Sequence, residues 1–281
     1  MSDTMTKSDN QSASRGRTWL HALTGQAGQY VSQSTSVMFA DAPLGDTQAR
    51  FIAVVPDLAN RFPRARHGEV GLEQGWSLAG LLRRTIDEQA GDGGPLRPIV
   101  AIVDVAGQAY GRREELMGIH LACAAAVNAY ADARLAGHPV IALIVGHAMS
   151  GAFLAHGYQA NRIVALDAPE VLIHAMGQAA AARITRRTVE QLAELGSRIP
   201  PMSYNVRDYA KLGLLENLIE GVDADAPDGT AVERVLQVLA DALASIRQDG
   251  RRDLSSRYAS QQAHTTRAAS IEVRKRLAEQ W

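Results

Sequence analysis

Three nearly unbroken apolar runs, FIAVVP (51–56), PIVAIVDV (98–105) and PVIALIVG (139–146), set the frame of the chain. Short, β-branched and free of internal polar alternation, they predict strands covered on both faces, as at the centre of a parallel sheet. The first ends at Pro56, which cannot donate to a ladder. After a polar loop, RFPRARHGEVG (61–71), the segment 72–90 sets Trp76, Leu78, Leu81, Leu82 and Ile86 at helical spacing. GDGGP (91–95) stops that helix. The run 113–136 predicts one long helix closed by Gly137, with alanines that let a neighbouring element approach. HAMS then links the strand 139–146 to a helix over 151–160. RIVALD (162–167) is a short strand, 169–176 is compatible with another, and 177–184 and 186–196 are helical. Beyond IPPMSYN, residues 205–220 read as helix, turn and strand. Residues 231–246 form an amphipathic helix with Val232, Val235, Leu236, Val238, Leu239 and Leu243 on its apolar stripe. Strands alternating with helices predict a layered α/β core over 50–220, with 98–105 and 139–146 as adjacent parallel strands.

Composition narrows this picture. Of 281 residues 46% are apolar, enough for one large domain, and the formal net charge of -1 draws the chain to no nucleic acid. Cys123, the one cysteine, sits in the apolar run LACAAAV, which excludes an internal disulfide and a paired-cysteine zinc site. It reads as a small core hydrophobe in a reducing cytoplasm. The polar N-terminus lacks the apolar run of a signal peptide, and no stretch has the length and purity of a membrane span. Residues 1–16 are expected to be a disordered tail, and 17–281 a single domain with a helical C-terminal region. That region, 247–281, carries eight arginines and lysines against four acids. It reads as a solvated face or as a contact for an acidic partner.

Two loops, each after a central strand and before a helix, occupy the position where open α/β sheets place their ligands. One runs from Asp104 through Gly107, Gln108, Ala109, Tyr110 and Gly111; the other runs from Gly146 through His147, Met149, Ser150, Gly151 and Ala152. Small residues allow a ligand close to the backbone. The second loop brings Ser150, Gly151 and Ala152 to a helix start, where free amides can hold an oxygen that gains charge. The same glycine and alanine could equally serve tight packing alone. GHAMSG is neither a dinucleotide fingerprint nor a phosphate loop, and Ser150 lies outside a G-x-S-x-G elbow. His147, beside the glycine-rich turn, is a candidate for catalysis or binding; His174, inside an apolar segment, reads as a hydrogen-bonded core histidine. No carboxylate cluster has metal-ligand spacing.

VGHAMSGAFLAHG (145–157) resembles the oxyanion segment of crotonase-like proteins, in particular their acyl-CoA carboxyltransferase branch. VDVAGQAYGRREELMGI (103–119) is similar to that family's second loop, with Ala106 where a proline is common, and 169–184 is similar to the Pro-Glu…Met-Gly…Ala-Ala segment that follows. Within the branch, the chain is most similar to the malonate decarboxylase gamma-subunit family, from about Arg17 into the final helices. The resemblance implies a crotonase-like α/β fold with layered sheets and flanking helices. It implies decarboxylation, with a beta subunit, of a malonyl thioester on the phosphopantetheine-type group of an acyl carrier protein subunit. An acyl transferase alpha subunit exchanges acetyl for malonate, with no biotin and no metal. It points to Ser150, Gly151, Ala152, Gly107 and Gln108 as catalytic, with the 150–152 helix start holding the anionic oxygen, and to Ala109, Tyr110, Gly111, His147 and Met149 as substrate-binding. A large beta-subunit interface involving the alanine-rich helix 113–136 is expected. Three alternatives stay open: a biotin-dependent carboxyltransferase half, a Clp-type serine peptidase using Ser150, and a non-catalytic partner that completes a beta-subunit site.

Overall fold

In the computed structural model, which describes residues 14–31, 34–91 and 93–281, a helix begins where the sequence pattern placed the end of a tail. Most of that tail, residues 1–13, lies outside the described residues. The Ser14 hydroxyl accepts the Arg17 N–H and caps α1 (Arg15–Thr24). Arg15 and Gly16 therefore belong to the fold. The Arg15 guanidinium donates to the Val145 and Pro169 carbonyls and pairs with Asp225 at 2.7 Å. Trp19 and Leu20 are wholly buried.

Next come β1 (Gln29–Tyr30), β2 (Val37–Leu44) and β3 (Thr47–Val54), joined as antiparallel neighbours. Sequence pattern had found only the last of them. Cross-strand partners Asp41 and Arg50 form an ion pair at 2.8 Å that Arg97 and Glu88 extend, so a nearly buried guanidinium is balanced. From β3 onward every pairing is parallel: β3 with β4 (Ile99–Val105), and β4 with β5 (Val140–Met149). The two central apolar runs thus lie side by side, with Ile99 opposite Val140 and Val103 opposite Ile144. Between these strands run α2 (Leu72–Asp87), α3 (Arg112–Leu116) and α4 (Ile119–Ala136). The single helix expected over 113–136 is two helices. Gly118 between them takes φ 80°, a left-handed conformation open to glycine without penalty. Gly75 of α2 lies so close to the Ala122 carbonyl of α4 that an added Cβ would sit 2.5 Å from it. Ala122, Ala126, Ala129 and Ala133 are wholly buried within this chain, so the close approach they permit is at least partly to α2 rather than to a partner.

β5 continues through HAM, which the pattern assigned to a link, and α5 (Ser150–Ala155) follows at once. This helix is shorter than the expected 151–160. It stops because His156 turns inward, wholly buried, with one ring nitrogen 2.9 Å from the Tyr130 hydroxyl and the other 2.9 Å from the Ile102 carbonyl. β6 (Arg162–Asp167) pairs with residues 141–144 of β5, whereas β7, reduced to Ile173–His174, pairs with its last two residues. The end of β5 is thereby forked between two neighbours. α6 (Gln178–Thr185), α7 (Val189–Arg198) and α8 (Val206–Ala210) lead to β8 (Asn217–Glu220) beside β6. The result is one mixed eight-stranded sheet, ordered β1-β2-β3-β4-β5-β6-β8 with β7 on β5, covered by helices. α9 (Gly229–Asp249) buries Val235, Leu239, Ala242, Leu243 and Ile246. Val232, Leu236 and Val238 sit at the edge of that packing.

Part of the positive charge of 247–281 is committed inside the molecule. Arg252 donates to the Leu135 carbonyl at the end of α4. Arg257 donates to Tyr158 and Ala160 carbonyls, and Arg267 to the Arg257 carbonyl. Cations on helix-terminal carbonyls are favoured by the helix dipole. After α10 (Gln261–Thr266), α11 (Ala268–Gln280) buries no residue. Among the described residues no helix is long and apolar enough to cross a membrane.

Candidate active site at the end of the central strands

Ser150 takes φ 59°, one of three non-glycine residues with positive φ among those described. A left-handed conformation costs an L-residue roughly 1–2 kcal/mol, so it persists where the surroundings impose it. Here it turns the chain from β5 straight into α5, with Met149 still extended at φ -112° and ψ 136°. The first amides of α5, those of Gly151 and Ala152, have no acceptor within the helix. They stand at the forked end of β5, where a ligand can reach between strands.

The two sequence-predicted loops meet at this point. The Gln108 side chain lies against Gly151, occupying the place where a side chain at 151 would stand. Gln108 is held by a bridge to Val70: the Val70 N–H donates to the Gly107 carbonyl and the Ala109 N–H to the Val70 carbonyl, both at 2.9 Å. Gly107 has φ 155°. Gly111 caps α3, with Arg64 and Glu114 packed against its Cα. Tyr110 is exposed. Three of the expected site residues have buried side chains. Ala109 is buried at 2% exposure in a small cluster with Phe62, Ala65, Leu72, Ile119 and Ala122. Met149 is buried at 6% and Ala152 is wholly buried, so Ala152 can offer only its backbone.

His147 belongs to a different surface. It lines a polar cavity of about 550 Å³ with Arg15, His67, Asp104, Glu170 and Asp225, and its Nε2 is 3.6 Å from a Glu170 oxygen. Successive strand residues point to opposite faces, which separates its side chain from those flanking it. Asp104 anchors this face, accepting the His147 N–H at 3.2 Å and the Gly16 N–H at 3.4 Å.

Ser150 and Gly151 instead open on an apolar crevice of about 440 Å³, walled by Phe153, Leu154, Tyr158, Pro200, Pro201 and Leu212. His174 is also at its edge, stacked on Tyr204 with ring centroids 3.9 Å apart and accepting the Met176 N–H at Nδ1. Burial lowers its pKa, which keeps the imidazole neutral. Tyr209 lines the same crevice; burial raises its pKa, and its hydroxyl has no hydrogen-bond partner among the described residues. Behind the wall, the Arg257 guanidinium stacks 4.7 Å from the Tyr158 ring centroid, and desolvation lowers its pKa. Sequence reasoning missed this wall. Its residues come from 153–158, 173–175 and 200–214, and only the break at IPPMSYN hinted at them.

The arrangement can hold an anionic oxygen at the crevice entrance by main-chain amides. Cys123 is not part of it, and burial raises its thiol pKa to about 11, away from thiolate chemistry. Among the described residues no group of three histidine, cysteine or acidic side chains could hold a metal.

Known proteins resemble the chain over most of its length. A Pseudomonas malonate decarboxylase hetero-tetramer in complex with coenzyme A includes a chain 50% identical to it, with a TM-score of 0.90, covering 96% of this chain and 100% of that one. A Pseudomonas MdcD–MdcE hetero-dimer gives 50% identity, a TM-score of 0.87 and the same coverage. The malonyl-S-ACP:biotin-protein carboxyltransferase MADD of Malonomonas rubra is 38% identical over 185 residues, which are 65% of this chain and 63% of that protein's length. The family model for the malonate decarboxylase gamma subunit matches residues 65–281, from the turn before α2 through the crevice and the C-terminal helices, and the chain belongs to that family.

Proposed function

We propose that this chain is the gamma subunit of a biotin-independent malonate decarboxylase, acting in the cytoplasm with a beta subunit, an acyl carrier protein subunit and an acyl transferase alpha subunit. The observation that carries the reading is the left-handed Ser150, which starts α5 where Ser150 and Gly151 line an apolar crevice. When a malonyl thioester loses CO2, the electrons of the breaking carbon–carbon bond move onto the thioester oxygen as an enolate. Amides of Gly151 and Ala152 favour that charge as it develops, which lowers the barrier rather than merely binding substrate. Apolar walls suit departure of neutral CO2 and make the charged carboxylate less comfortable than in water. A water or side chain then protonates the carbon to leave the acetyl thioester. Gln108 lies on Gly151 and is placed to orient the acyl group.

The test is co-purification with the beta and carrier subunits, followed by a malonyl-thioester decarboxylation assay. The intact complex is expected to release CO2 without any biotinylated protein. Turnover that appears only with a biotinylated acceptor would replace this reading by the carboxyltransferase one, which the match to the Malonomonas rubra protein favours.

Leu154 in the crevice wall and Ile199, the residue before the wall's Pro200, are exposed at 47% and 44%. Apolar side chains in that position are suited to a partner that closes the site. An obligate pair buries roughly 2,000 Å² or more. Leu154→Asp with Ile199→Asp is expected to weaken pairing with the beta subunit about thirtyfold, about 2 kcal/mol. Sedimentation of the co-expressed subunits reads this directly; unchanged pairing would place the interface elsewhere.

A further inference from the structure

A cavity of about 680 Å³ is lined by residues of α2, by Arg61 and Phe62 and by Met117 after α3, and Phe62 and Leu72 of its lining belong to the small buried cluster that also holds Ala109. Its lining combines Phe62, Trp76 and Met117 with Arg61 and Arg84. Trp76 is 52% exposed although helical spacing put it with the core residues of α2. Arg61 and Arg113 flank the Phe62 ring, at 5.0 and 5.5 Å from its centroid. Arg61 is paired with Glu73 at 2.5 Å. The Glu114 carboxylate and Arg64 share the space beside Gly111. Asp87, Glu88 and Glu115 are exposed carboxylates on the same turns, of which Glu88 is held by Arg50 and Arg97, and Arg83 and Arg112 stand exposed beside them in sequence. Arg84, in the cavity lining, and Arg113, over the ring of the lining residue Phe62, are exposed and without an ion pair among the described residues.

We propose that this arginine-rimmed cavity is the docking surface for a carboxylate-rich carrier protein that presents its thioester on a phosphodiester-linked arm. The inference rests on the decarboxylase reading for the identity of that substrate. Opposed charge at a rim raises the encounter rate and fixes orientation, while an exposed tryptophan and methionine supply an apolar anchor. Phe62 and Leu72 of the cavity share a buried cluster with Ala109, so the cavity adjoins the loop that holds Gln108 against Gly151. The alternative basic surface, 247–281, is less suited. Arg252, Arg257 and Arg267 cap carbonyls of this chain, leaving Arg274, Lys275 and Arg276 of α11 as its outward cluster.

The reconstituted complex carrying Arg84→Glu with Arg113→Glu is to be compared with wild type on malonyl-carrier protein and on malonyl-N-acetylcysteamine. Carrier kcat/KM is expected to fall roughly tenfold at low salt, mostly through KM, with the small thioester unaffected. The salt dependence of the carrier reaction should flatten as well, since screening no longer removes an attraction. Equal losses on both substrates, an unaltered carrier reaction, or loss of beta-subunit pairing would each overturn the docking surface. A larger carrier effect from Arg274→Glu, Lys275→Glu and Arg276→Glu would move it to α11. Failure of the decarboxylase reading has its own signature: a wild-type complex that leaves the small thioester intact.

Discussion

Gly151→Pro is expected to lower kcat of the intact complex on a malonyl thioester roughly a hundredfold, about 3 kcal/mol, the usual effect of losing one oxyanion donor. Proline removes the amide at a position where the first turn of a helix tolerates it. Two complications accompany it. A side chain at 151 displaces Gln108, and the left-handed Ser150 is a poor neighbour for a following proline. Gly151→Ala displaces Gln108 equally and keeps the N–H, so the ratio of the two variants removes the Gln108 contribution and leaves the lost amide together with the strain at Ser150. Ser150→Ala also keeps its backbone and should cost little. Circular dichroism and sedimentation establish that each complex is folded and paired before kcat is compared. Equal rates for the proline and alanine variants would put the oxyanion donors elsewhere, in the beta subunit first of all. A dead but well-folded Ser150→Ala complex would make the hydroxyl a participant and return the peptidase-like chemistry to consideration.

The second large effect is on stability. Burial lowers the pKa of the His156 imidazole from 6.5 to about 4, against a smaller raising effect from the Ile102 carbonyl. Between those values the unfolded chain takes up a proton and the folded chain does not. Stability is therefore complete above pH 6.5 and is lost as pH falls toward 4. One pKa unit is about 1.4 kcal/mol, so roughly 2.5 kcal/mol should be gone by pH 4.5. His156→Gln preserves an acceptor for Tyr130 and a donor for Ile102 but does not titrate. Urea unfolding of both proteins between pH 7.5 and 4.5 should give a flatter profile for the variant, by about that amount. His138 and His174, whose pKa values are also lowered by burial, titrate in both proteins and cancel in the difference. Parallel profiles would mean that His156 is not neutral in the folded state, or that its burial is relieved.

What the sequence determined by itself was the central sheet and the two loops that follow its middle strands. An uninterrupted apolar run such as 98–105 or 139–146 has few other stable uses than a strand covered on both faces, so those strands and their parallel pairing followed from local pattern. The small-residue loops after them followed from the same logic, and the resemblance of 103–119 and 145–157 to one family named the activity. Tertiary structure decided what depends on residues distant in sequence. The hairpin of β2 and β3 owes its buried Arg50 to Asp41, Glu88 and Arg97, a balance that no local pattern contains. Gly118 alone does not announce a broken helix, because a glycine there is compatible with either continuation until packing selects the left-handed one. His147 and Ser150, three residues apart, look like one site in the sequence. The alternation of β5 and the left-handed turn at its end assign them to different cavities. The crevice wall was not legible at all: Tyr158, Pro200 and Tyr209 meet only because β7 takes over the end of β5 and the C-terminal segment drives Arg257 behind them. Apolar and hydrogen-bonding periodicities act over a few residues, whereas an enclosed pocket is a sum of contacts between separate segments, and only the folded chain carries out that sum.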